Sequence, residues 1–187
     1  MTRPLRKDAV ERRDALLKAA AEAFARDGLD APLHLIAAQA GVGRATLYRN
    51  FADRSELALA VFLNQIDDLG RRIQARLDDP DVFLIFLEEI VGLMLESAGL
   101  ASAVRDLKDE ALAPIRRAMR QAGAEALEVS RGAGRVRADL TVEDIRVLTL
   151  MLGAPSRTVR PEDREVLSRR SLELVLDAVR PQAGRAA

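Results

Sequence analysis

Leu33-His34-Leu35-Ile36-Ala37-Ala38-Gln39-Ala40-Gly41-Val42-Gly43-Arg44-Ala45-Thr46-Leu47-Tyr48-Arg49-Asn50-Phe51 holds two short helical patterns joined by a glycine turn. Ile36, Ala37, Val42, Leu47 and Phe51 fall where two crossed helices would bury them, and Ala37 and Ala40 are small enough for a close crossing. Such a pair, set behind a longer supporting helix, is a helix-turn-helix. The outward residues of the later helix are Arg44, Ala45, Thr46, Tyr48, Arg49 and Asn50, with no acid among them. Arg can take guanine bidentately, Asn can take adenine, and Ala or Thr can offer a methyl group to thymine.

The periodicity around this stretch is helical nearly everywhere, and strand signals are missing, so the fold class is all-α. A first helix is expected from about Ala9 to Asp27, with Leu16, Ala20, Ala23 and Phe24 on one stripe and Gly28 as the left-handed stop. The second is expected to begin at Asp30 or Ala31, with Pro32 in its first turn. The third carries Arg44 to Phe51. Asp53 with Glu56 three residues on is close to a capping box and opens a long fourth helix to about Leu77. Beyond Asp78-Asp79-Pro80, helices are expected at 81–97, 100–107, 109–131, 142–153 and 162–179. Gly99, Gly132-Ala133-Gly134 and Ala154-Pro155 are the expected breaks, and the small polar tail from Pro181 is expected to fray.

Composition removes much enzyme chemistry. The 187 residues include no cysteine and one histidine, His34, so thiolate catalysis, zinc fingers and multi-histidine metal sites are excluded. No cofactor or metal is expected. Aromatic residues make up 3% of the chain, too few for a platform that stacks single-stranded bases. The 29 basic side chains balance the 29 acidic ones, so any basic patch must be local. One such patch lies at 44–54, where Arg44, Arg49 and Arg54 stand against Asp53. The most apolar run, Val82 to Leu95, is shorter than the ~20 residues a membrane helix needs, and no secretory pattern opens the chain. The expectation is a soluble, cytoplasmic protein with no membrane partner.

Residues 9 to about 62 resemble the DNA-binding domain of the tetracycline-repressor (TetR) family of bacterial transcriptional regulators. Ala40-Gly41-Val42, Thr46-Leu47-Tyr48 and Phe51 carry the signature, supported by Ala19-Ala20, Phe24, Gly28, Ile36-Ala37 and Leu57. This chain has Gly43, Ala45 and Asn50 where the family often has Ser or Thr, Gly and His, and it lacks the usual Thr pair opening the second helix. The resemblance implies a DNA-binding domain over 9–63 and an effector-binding, dimerising helical domain over 64–180. It implies that Thr46, Tyr48, Asn50 and Arg54 hold phosphates of double-stranded DNA while Arg44, Ala45 and Arg49 face the groove. Lys7, with Arg3 and Arg6, sits on an arm that either reaches an adjacent minor groove or is a solvated terminus.

The segment 82–95 is apolar on almost every side, as in a helix surrounded by protein. Phe86, Met94, Met119 and Met151 are the candidate lining of a site for a small apolar effector, or else ordinary core. Ile145, Leu148 and Leu152, then Leu167, Leu174, Val175 and Val179, form stripes on the last two helices. They either pair with a second copy in a homodimer or pack on their own domain. His34 reads as a solvated surface residue. The implied function is a repressor that binds a pseudo-palindromic operator as a dimer and is released by a ligand. The rival readings are a helical enzyme, a protein-interaction module, and a helix-turn-helix of another kind.

Overall fold

A computed structural model describes residues 3–100, 109–158 and 160–181. These residues form eight α-helices: α1 (Arg3–Asp27), α2 (Leu33–Gln39), α3 (Arg44–Asn50), α4 (Arg54–Gln74), α5 (Val82–Glu96), α6 (Ala113–Gly132), α7 (Asp144–Thr158) and α8 (Pro161–Val179). Short 3-10 turns lie at Gly28–Asp30, Ala98–Leu100 and Asp109–Leu112, and no strand occurs among the described residues.

Several ends differ from those expected. α1 begins at Arg3, six residues before Ala9, so the stretch expected to be an arm has a helical backbone. The side chain of Lys7 lies outside the described residues. α2 starts only at Leu33, because Ala31 precedes a proline and is held extended at φ −48° and ψ 128°. The helix expected at 100–107 falls almost entirely outside the described residues. α7 does not break at Ala154-Pro155 but carries Pro155 inside it and continues to Thr158.

The chain forms two compact units. One gathers the described residues up to Asn64 together with Glu96–Leu100, and the other takes Gln65–Leu95 and the described residues from Asp109 onward. The turn at 98–100 packs on α1 and on the 28–30 turn, which brings a piece of the later sequence into the first unit. A single cut between 63 and 64 misses this return. The first unit has a core of Leu16, Ala20, Phe24, Ile36, Leu47, Phe51 and Leu57, all fully buried.

In the second unit, α5 is buried along most of its length, from Val82 and Phe83 through Phe86 and Leu87 to Ile90. Phe83 and Phe86 stack with ring centroids 5.8 Å apart. The first turn of α5 is anchored from far along the chain: the Phe83 N–H donates to Oγ of the buried Ser130 at 3.0 Å. One of the orphan donors of a helix start is thereby satisfied by a neighbouring helix. α7 and α8 pack on one another, α7 also on α6.

Candidate nucleic-acid interface

Turns and buried anchors on either side of α3 fix its place in the first unit. Gly41 takes φ +67°, a left-handed conformation that glycine adopts without a Cβ penalty, and this turns the chain out of α2. The turn is closed by the Val42 N–H donating to the Ala37 carbonyl at 3.0 Å. Gly43 then caps α3 without any side-chain hydrogen bond. Leu47 is the buried residue of α3, and Phe51, extended just past its end, is buried too. Arg13 of α1 lies 5.6 Å from the Phe51 ring centroid, a cation–π contact on the other side of the same anchor. Gln39 of α2 donates to Glu22 of α1 at 2.6 Å.

The start of α4 is fixed by two reciprocal bonds. The Glu56 N–H donates to Asp53 Oδ1 at 2.8 Å, and the Ala52 N–H donates to Glu56 Oε2 at 2.6 Å. This follows the logic of a capping box, displaced by one residue on the return bond.

With Leu47 turned inward, Arg44, Ala45, Tyr48, Arg49 and Asn50 are exposed and Thr46 is half-buried. Tyr48 is 56% exposed, unusual for an aromatic side chain in a protein with so few. Arg49 folds back along its own helix, donating from Nε to the Ala45 carbonyl at 3.2 Å and from Nη2 to Thr46 Oγ1 at 3.3 Å. Asn50 donates to the Thr46 carbonyl at 2.7 Å. These bonds are exposed and local to the same helix, so an external acceptor can compete for the donors.

Arg54 is different. It is half-buried, and its Nη1 donates to the backbone carbonyls of both Leu29 and Ala31, in the link between α1 and α2. Pro32, Leu33, His34, Arg44, Leu47, Tyr48 and Arg54 together line a cleft of about 290 Å³. The expected reading face gave no place to His34; the structure sets it, exposed, in the same concavity as Arg44 and Tyr48.

The candidate effector residues divide. Phe86 and Met119 are buried, and Met94 is half-buried on α5. Met151 is half exposed on α7. The reason is helical register: Ile145, Leu148 and Leu152 turn inward, and at 3.6 residues per turn Met151 lies about 100° round from Leu152. Val147, Leu150 and Met151 share the exposed side of α7, while Val166, Leu167 and Leu174 are exposed on α8. Of the residues expected to pair between copies, Ile145, Leu148, Leu152, Val175 and Val179 are buried within the protomer, and only Leu167 and Leu174 remain outside.

Comparison with known proteins agrees with this layout. A family model for bacterial regulatory proteins of the tetR family matches residues 16–61, and one for the C-terminal domain of SbtR-like transcriptional regulators matches residues 79–181. A TetR transcriptional regulator from Streptomyces coelicolor is 30% identical, over 91% of this chain and 99% of that one, with a TM-score of 0.68. A TetR transcription regulatory protein from Mycobacterium vanbaalenii is 28% identical, over 95% of this chain and 100% of that one, with a TM-score of 0.70. With its helix-turn-helix and all-helical second unit, this chain belongs to the TetR family of bacterial transcriptional regulators.

Proposed function

We propose that the protein is a repressor that binds a pseudo-palindromic operator as a homodimer and is released by a small apolar effector. The observation that carries the DNA half is the face of α3. Arg44, Ala45, Tyr48, Arg49 and Asn50 stand exposed on a seven-residue helix held by the buried Leu47 and Phe51. A helix end of this kind, rich in donors and free of acids, suits the major groove. In this reading Arg44, Ala45 and Arg49 meet base edges, and Thr46, Tyr48 and Asn50 meet the sugar–phosphate backbone. Lys7, whose backbone belongs to α1, completes the set of DNA contacts in this reading.

The dimer rests on the exposed apolar side chains of α7 and α8. Six large apolar residues, Val147, Leu150, Met151, Val166, Leu167 and Leu174, are between 41% and 69% exposed. A second copy would cover them, and a two-fold pair would then set two recognition helices against successive major grooves, about 34 Å apart.

Effector release rests on the apolar second unit, with Phe86, Met94, Met119 and Met151 as the proposed lining. The ligand acts by binding one state of the dimer better than the DNA-binding state. Selection of bound sequences from a random duplex library tests the DNA half of this reading and its two-fold pairing. The expected product is a two-fold related pair of half-sites centred about 10 base pairs apart or a multiple of it. A library that yields no enriched sequence would contradict it.

A further inference from the structure

The Arg54 guanidinium is anchored where a DNA contact would not need it to be. It belongs to the first residue of α4, yet its Nη1 reaches back 25 and 23 residues to the carbonyls of Leu29 and Ala31. Those carbonyls flank the point where the chain leaves the 28–30 turn and enters α2. Ala31 there is 1% exposed and extended, and the Pro32 that follows opens α2 with no side-chain cap. The beginning of α2 is held by backbone bonds alone, from the Ala31 N–H to the Gly28 carbonyl at 3.3 Å and from the Leu35 and Ile36 N–H groups to the Pro32 carbonyl at 3.0 and 3.3 Å, with no side chain of its own capping it. The beginning of α4 is fixed firmly, by the reciprocal bonds of Asp53 and Glu56.

We propose that Arg54 is a positioning residue for DNA recognition, clamping the start of α2 to the start of α4, and not a ligand of the DNA backbone. α3 lies between those two helices in the chain, so the clamp brackets the reader from both sides. A planar guanidinium suits this task, since one nitrogen can serve two carbonyls while the rest of the group stays half in solvent. The inference rests on the DNA-binding reading above and replaces the phosphate contact that the family resemblance implies for Arg54.

The two roles differ in salt dependence. Removing one phosphate ligand flattens the slope of log affinity against log salt by about 0.9 on B-form DNA. Removing a clamp lowers affinity without releasing fewer counterions. The test takes the duplex selected by the wild-type protein and measures its binding across a salt series for the wild type, Arg54→Ala and Arg54→Lys. Amide hydrogen exchange is followed in parallel on the same three DNA-free proteins.

For Arg54→Ala, affinity is expected to fall about tenfold or more at every salt concentration, the scale of one charge-assisted hydrogen bond, with the slope unchanged. Arg54→Lys keeps the charge and is expected to recover little of the loss. In the DNA-free protein, amides of residues 28–36 should exchange faster in both variants while those of α3 hold. A flatter slope in Arg54→Ala that Arg54→Lys restores would make Arg54 a phosphate ligand and overturn the proposal. Faster exchange with unchanged DNA affinity would reduce Arg54 to a stabilising role and overturn it equally. Should Arg54→Ala not fold, Arg54→Lys carries both measurements. A wild type that selects no duplex removes the DNA-binding reading, while the exchange data still decide whether the clamp exists.

Discussion

Gly123 of α6 lies directly against the ring of Phe86 of α5. A Cβ placed on Gly123 would stand 2.5 Å from Phe86 Cε1 and 2.7 Å from Cζ, with Ile145 Cδ1 at 3.2 Å. The ring has nowhere easy to go, since Phe86 is fully buried and stacked with Phe83. The core of the second unit is therefore filled at this point, and an effector that enters here must displace side chains.

Gly123→Ala is expected to destabilise the protein by about 1–3 kcal/mol, the usual cost of forcing an extra carbon into a packed core. Adding Phe86→Leu in the same chain should return part of that loss, because the smaller side chain vacates the contact. Urea melts of the single and double variants check this. Equal stability of wild type and Gly123→Ala would mean that the ring moves freely.

Ser130→Ala leaves the buried Phe83 N–H without its acceptor at the first turn of α5. A loss of about 1–3 kcal/mol is expected, the penalty of an unsatisfied buried donor. Ser130→Thr keeps an oxygen at the same place and should cost less. Thermal or urea unfolding distinguishes the two.

Adjacent positions on α8 should respond to charge in different ways. Leu174 is 53% exposed and Val175 is 2% exposed. Leu174→Glu is expected to yield a folded monomer, read by sedimentation, whereas Val175→Glu should damage the fold itself, read by circular dichroism. A wild-type protein that sediments as a monomer at micromolar concentration would contradict the dimer.

Asp53→Ala removes the acceptor of the Glu56 N–H at the start of α4. The expected cost is about 1 kcal/mol, typical of a lost N-cap. Because the cap also sets where α4 begins, DNA affinity should fall with stability. A melt and a gel shift on the same preparation read both.

The recognition unit is legible in the sequence because its signals are local. Gly41, Leu47 and Phe51 each demand one conformation or one burial, and the residues between them face outward by period alone. The inward face of α7 is not legible, for a complementary reason. Ile145, Leu148 and Leu152 and the set Val147, Leu150 and Met151 are both apolar stripes at helical spacing, and only tertiary packing decides which one turns inward. The anchoring of Arg54 is hidden because its partners are backbone carbonyls more than 20 residues away, and a backbone acceptor leaves no mark on a sequence. The Ser130–Phe83 bond, spanning 47 residues, is hidden in the same way.

Sequence selection with reader variants decides whether the exposed face of α3 reads base sequence. Arg44→Ala and Arg49→Ala are each carried through selection from a random duplex library beside the wild type. Each is expected to lose about 1–3 kcal/mol on the wild-type sequence and to relax preference at the particular base pairs it contacts. If both variants enrich the same sequences as the wild type with the same preference at every position, α3 does not read the bases.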